Sequence, residues 1–101
     1  MPSDLENRQH PRKPFFAEAA LEFASGKYQA RISEISLGGC YVDSIASVVE
    51  GEQISLTITF GSGVSEHFDG EIAYVLPGMG FGIRFVDITT AQKLLLLQIV
   101  D

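Results

Sequence analysis

From Phe15 onward the chain breaks into short runs punctuated by glycine, and that punctuation is the strongest constraint on its fold. Runs of this length, bounded by turn residues, read as the strands of an antiparallel all-β domain. In Gln53–Phe60 the apolar Ile54, Leu56, Ile58 and Phe60 alternate with Ser55, Thr57 and Thr59. Strand side chains point alternately to opposite faces, so this run buries one face and wets the other. Strands are predicted near Ala17–Ala24, Tyr28–Ile35, Cys40–Ser44, Gln53–Phe60, His67–Leu76 and Gly80–Val86. The turns between them are Ser25-Gly26-Lys27, Leu37-Gly38-Gly39, Gly61-Ser62-Gly63 and Pro77-Gly78. Six strands with tight turns favour a small closed or nearly closed barrel, because closure removes the exposed edges of an open sheet.

Two strands depart from simple alternation. Gly70 marks a bulge or bend in His67–Leu76. Ile32 and Ile35 are an odd number of residues apart, so both face inward only if a bulge intervenes or Ser33 takes a core position.

The chain ends differently. Asp87 or Thr89 is placed to cap a helix through Ala91–Val100, and Leu94, Leu95, Leu96, Leu97, Ile99 and Val100 make that helix apolar nearly all round. One face is expected to plug an open end of the barrel. The other then needs a deep groove or a partner, most simply a second copy of the chain as a homodimer.

At 101 residues, 46% hydrophobic and 20% charged, the chain fits one soluble globular domain. No run approaches the roughly 18 apolar residues that cross a bilayer, and no signal-peptide pattern opens the chain, so a cytoplasmic location is the default expectation. Cys40 is the sole cysteine, which rules out an internal disulfide and fits a reducing compartment. A net charge of −6 argues against wrapping duplex nucleic acid, which relies on neutralising many phosphates at once. A small anionic ligand needs only a few cations. Residues 1–14, with Pro2, Pro11, Pro14 and several charges, read as a mobile arm ahead of a domain at 15–101. Arg8, Arg12 and Lys13 against Asp4 and Glu6 leave residues 1–16 at +1 while the remainder carries −7, so the positive charge has a local task.

Two short stretches suggest what that task is. Arg8 and Arg12 are spaced Arg-x-x-x-Arg, and Pro11 biases His10 away from the α region, so the arm is read as extended. Four extended residues span about 13 Å, close to the size of a dinucleotide. An arginine fork donates two hydrogen bonds to the O6 and N7 of guanine, pairs bidentately with phosphate and stacks on a base. In the turn Glu34-Ile35-Ser36-Leu37-Gly38-Gly39, strand alternation puts the Glu34 carboxylate and the Ser36 hydroxyl on one side, where both can meet a base edge. Gly38 and Gly39 allow close approach and positive φ. The plainer alternative is a solvated basic terminus and an ordinary β-turn.

Taken together, the pattern resembles the PilZ domain, a bacterial receptor module for the second messenger cyclic di-GMP. Members carry an Arg-x-x-x-Arg arm, then an (Asp or Asn)-x-Ser-x-x-Gly turn, on a six-stranded barrel with a C-terminal helix. Arg8-Gln9-His10-Pro11-Arg12 matches the first motif, Ser36 and Gly39 match the second at the right spacing, and Gly80-Phe81-Gly82-Ile83-Arg84-Phe85 looks like the closing strand. The resemblance runs from about Glu6 to Val100. It implies that Arg8 and Arg12 hold bases and phosphates, that Glu34 and Ser36 contact the ligand from the barrel surface, and that Gly39 keeps the turn open. Position 34 departs from the pattern: glutamate keeps the acceptor oxygens but reaches one methylene further and has more rotamer freedom to lose.

The function expected on this basis is a non-enzymatic cyclic di-GMP receptor whose arm folds over the nucleotide and presents a new surface to an effector protein. The alternative is an adaptor of the same fold that works by protein contact alone. Nothing in the spacing of His10, His67 and Cys40 assembles a catalytic triad or a metal site, and no cofactor is expected. Glu66, Asp69 and Glu71 read as a solvated hairpin face, and Arg84, alternating with Ile83 and Phe85, points outward.

Overall fold

The structure is a computed structural model and describes residues 13–100. Arg8 and Arg12, with residues 1–12 of the expected arm, lie outside the described residues. Six strands, β1 (Lys13–Phe23), β2 (Gly26–Ile35), β3 (Gly39–Asp43), β4 (Gln53–Thr59), β5 (Ser65–Leu76) and β6 (Gly80–Val86), precede one helix, α1 (Thr90–Val100). The strands close into an antiparallel barrel in the order β1-β2-β3-β6-β5-β4. β1 begins at Lys13, four residues before the expected Ala17, so the last two residues assigned to the arm already belong to the barrel.

Alternation fills the interior. Leu21 and Phe23 of β1, Ile54, Leu56 and Ile58 of β4, and Phe81, Ile83 and Phe85 of β6 all point inward. Phe68 and Phe85 stack at 4.7 Å between ring centroids in that core. Cys40 is one of its small members, and burial pushes the thiol up to about 12, so it is held protonated and is a poor nucleophile.

Bulges break the alternation at three places. Ser33 is the extra residue of β2 against β3, and Ala73 is the extra residue of β5 against β6. In β1, Phe15 and Phe16 together face the single Ser33. The bulge at Ser33 lets Ile32 and Ile35 both reach the core, the first of the two alternatives that their odd spacing allowed. The expected irregularity at Gly70 is absent, since the ladders to β4 and β6 run unbroken through it. Gly70 is glycine for another reason: a Cβ there would lie 2.7 Å from both the Arg84 carbonyl oxygen and Ile83 Cγ2.

Thr89, rather than Asp87, caps α1. Its Oγ1 accepts the Gln92 N–H at 3.0 Å, and the Gln92 side-chain oxygen accepts the Thr89 N–H at 2.8 Å, a reciprocal capping box. Gln92 Nε2 also donates to the His67 carbonyl at 2.6 Å, fastening the helix to β5. Leu96 is fully buried and completes the core, while Leu94 and Leu97 remain 57% and 38% exposed. No helix among the described residues is long and apolar enough to cross a membrane.

Candidate functional site

The turn joining β2 to β3 is organised by Ser36. Its N–H donates to the Gly39 carbonyl at 2.8 Å, and its Oγ accepts from the N–H groups of Gly38 and Gly39 at 3.1 and 3.2 Å. Ser36 Oγ also lies 3.3 Å from the Gly39 carbonyl as a donor. The side chain is therefore turned into the loop and only 8% exposed, instead of projecting beside Glu34. Sequence alternation missed this because β2 ends at Ile35, and alternation stops where the strand stops.

Glycine is needed at position 39 for space. Neither Gly38 nor Gly39 adopts positive φ. A Cβ on Gly39 would collide with the carbonyl oxygen of Ile83, since β6 passes directly behind the turn. The Gly38 carbonyl accepts the Phe85 N–H at 2.8 Å, pinning the loop to the same strand.

Glu34 faces outward because of the Ser33 bulge, which reverses the parity that Ile32 sets. It is half-buried, opposite Tyr41 on one side and Pro14 on the other. Lys13 is opposite Ile35, so the chain enters the barrel one residue from Ser36. Arg84 lies across from Gly39 on the outer face of β6, and its Nη2 donates to Glu71 Oε1 at 2.7 Å. Arg31 and Ser33 lie 4.0 and 3.4 Å from the Asp43 carboxylate. The structure thus brings Glu34, Ser36 and Gly39 together beside the start of β1, with Arg84 flanking them.

This combination of a closed six-stranded barrel, a helix at its C-terminal end and a serine-organised turn at the mouth of β1 is matched by one family. The PilZ domain model covers residues 6–101.

The chain belongs to the PilZ family.

Solved structures share the fold. The chain is similar to the inhibitor of motility MotI/DgrA of Bacillus subtilis, at TM-score 0.79 and 18% identity over 91% of this chain and 48% of that one. It is also similar to the PilZ domain of YcgR from Escherichia coli, solved with c-di-GMP, at TM-score 0.75 and 18% identity over 92% and 88% of the two chains. The PlzA protein of Borreliella burgdorferi, in complex with c-di-GMP, gives TM-score 0.69 and 21% identity over 97% of this chain and 44% of that one. The chain therefore spans about half the length of MotI/DgrA and of PlzA. At these identities the likeness is one of fold. No curated protein sequence matches the chain.

Within this PilZ domain His67, Asp69 and Glu71 have structural partners. His67 Nε2 lies 3.0 Å from Asp69 Oδ1, and Ser55 Oγ donates to the same carboxylate oxygen at 3.2 Å. Glu71 is engaged by Arg84. Among the described residues no group of three or more His, Cys, Asp or Glu side chains is placed to hold a metal. Sequence reasoning overlooked two site neighbours, Tyr41 and Tyr74, which stand on the same outer row as Glu34. The signal for Tyr74 was present: the inward-facing Ile72 and Val75 are three apart, the same odd spacing that exposed the bulge at Ser33.

Proposed function

We propose that this PilZ domain is a non-enzymatic receptor for cyclic di-GMP that controls a partner protein through closure of its N-terminal arm. The observation that carries the reading is the pairing of Lys13 with Ile35. Arg12 is one covalent step from Lys13, about 3.8 Å between Cα atoms, and Arg8 is within about 18 Å of it at full extension. Both arginines are therefore tethered within reach of the Glu34–Gly39 segment.

Each site residue then has a definite task. Arg8 and Arg12 supply planar forks for phosphate and for guanine O6 and N7. Glu34 accepts hydrogen bonds from the base edge. Ser36 acts by holding the loop shape, and Gly39 by letting β6 pass close behind it. Folding of the arm onto the ligand creates the surface that an effector reads.

The exposed Leu94 and Leu97 on α1 favour a second reading, an adaptor that works by protein contact or self-association without nucleotide. Calorimetric titration of the chain with cyclic di-GMP, with GMP and an Arg12→Ala variant as controls, separates the two. Saturable binding of cyclic di-GMP that is lost in the variant supports the receptor. Absence of binding leaves the adaptor.

A further inference from the structure

We propose that Tyr41 and Tyr74 form a stacking shelf for a purine base on the outer wall of the barrel, one strand away from Glu34. The inference rests on the receptor reading above and adds to it the residues that grip the base.

The shelf is a product of two bulges. Were Ser33 and Ala73 ordinary paired ladder residues, Glu34 would share the inward parity of Ile32, and Tyr74 that of Ile72. Both bulges turn a side chain outward onto one cross-strand row, in which Glu34 pairs with Tyr41, Tyr41 with Gly82 and Gly82 with Tyr74. Bulges are a common means of re-aiming side chains next to functional sites.

The row is flat because the middle strand has no side chains there. Gly80 and Gly82 occupy the outer face of β6 and are buried beneath the tyrosines. A Cβ at Gly80 would lie 2.6 Å from the Tyr41 hydroxyl oxygen, and one at Gly82 would collide with the Tyr74 ring. The ring planes differ by 23° and their centroids are 6.3 Å apart. Near-parallel planes at that separation make an offset stack, within the range of about 4.5–7 Å for aromatic pairs. The tip of the Tyr41 ring reaches over Gly80, and the Tyr74 ring covers Gly82. Both tyrosines are half-buried, so the pair keeps surface open to solvent.

The chemistry at the margins selects the occupant. Glu34, opposite Tyr41, places a carboxylate beside the shelf, where it accepts from N–H donors on a base edge. Arg84, two residues from Gly82 on the same outer face, places a guanidinium, paired with Glu71, at the end nearest the turn. A π surface with an acceptor beside it and an arginine near the turn fits a purine with edge donors attached to a phosphate, which is the make-up of a guanine nucleotide. Shielding of the β6 glycines alone needs only an apolar cover, and leaves the paired outward turns of Glu34 and Tyr74 unexplained.

Leucine at either position keeps the cover and removes the π face, while phenylalanine keeps both. Cyclic di-GMP is titrated into the full chain and into Tyr41→Leu, Tyr74→Leu, Tyr41→Phe and Tyr74→Phe, with thermal unfolding of each recorded. The shelf predicts binding weaker by about ten-fold or more in the leucine variants and retained in the phenylalanine variants. The chain has three tyrosines and no tryptophan, so saturation with nucleotide should also quench tyrosine emission in the parent protein, a readout independent of any variant. Leucine variants that fold and bind like the parent, or emission unchanged at saturation, overturn the shelf and leave the receptor reading intact. A parent protein that does not bind overturns both.

Discussion

The hydroxyl of Ser36 accepts the backbone N–H of Gly39 at 3.2 Å, and the same hydroxyl accepts that of Gly38 at 3.1 Å. One buried side chain thus satisfies two donors that the turn leaves without a strand partner. Ser36→Ala takes the acceptor from one part-buried and one buried N–H, which is expected to lower stability by about 1–3 kcal/mol. Urea denaturation measures the loss. On the receptor reading nucleotide affinity should fall as well, because the hydroxyl holds the shape of the loop.

Gly39→Ala is expected to be far more damaging. Its Cβ meets the Ile83 carbonyl, a backbone atom that cannot swing aside. A loss of about 4 kcal/mol or more, or failure to fold, is predicted. Gly61→Ala is the matched control, since nothing lies within 4 Å of a Cβ there. It should stay within about 0.5 kcal/mol of the parent in the same denaturation experiment.

Thr89 and Gln92 cap each other, so their effects should not add. Thr89→Ala and Gln92→Ala each remove a reciprocal bond, and Gln92→Ala also cuts the tether to the His67 carbonyl. Each single substitution is expected to destabilise by about 1 kcal/mol. A double-mutant cycle should show coupling of about 0.5 kcal/mol or more.

Cys40 makes a pH prediction. Burial raises its folded pKa from 9.0 to about 12. The unfolded chain ionises first as pH rises, so the contribution of the neutral thiol to stability is complete below pH 9 and is lost progressively between 9 and about 12. At pH 8 the folded protein should resist alkylation by iodoacetamide, and addition of denaturant should make the thiol reactive. Fast alkylation of the native protein would contradict the buried assignment.

Most of the barrel could be read in advance because alternation and glycine punctuation are local signals. Gln53–Thr59 shows this clearly, its buried Ile54, Leu56 and Ile58 alternating with more exposed neighbours. The Ile32 and Ile35 spacing left a bulge or a core position for Ser33 as the alternatives, and the structure has the bulge. What escaped were contacts between strands distant in sequence. The requirement for glycine at 39 is set by Ile83, and the tyrosine row by Gly80 and Gly82. The inward turn of Ser36 was missed because parity has no meaning beyond the last ladder residue, Ile35.

Glu34 departs from the aspartate or asparagine of the family pattern, which makes it informative to alter. Glu34→Ala should weaken cyclic di-GMP binding by about 1.5–3 kcal/mol if its carboxylate accepts from the base. Glu34→Asp should retain binding, because the acceptor oxygens remain. Calorimetric titration compares the three proteins directly.

The central claim is that nucleotide binds where the start of β1 meets the Ser36 turn. Titration of the 15N-labelled chain with cyclic di-GMP, followed by amide chemical shifts, tests it most directly. The account predicts saturable shifts concentrated at Lys13, at Glu34 to Tyr41 and at Gly82 to Arg84, with the Gln53–Thr59 strand unmoved. Shifts confined to other surfaces, or none at saturating nucleotide, would contradict it.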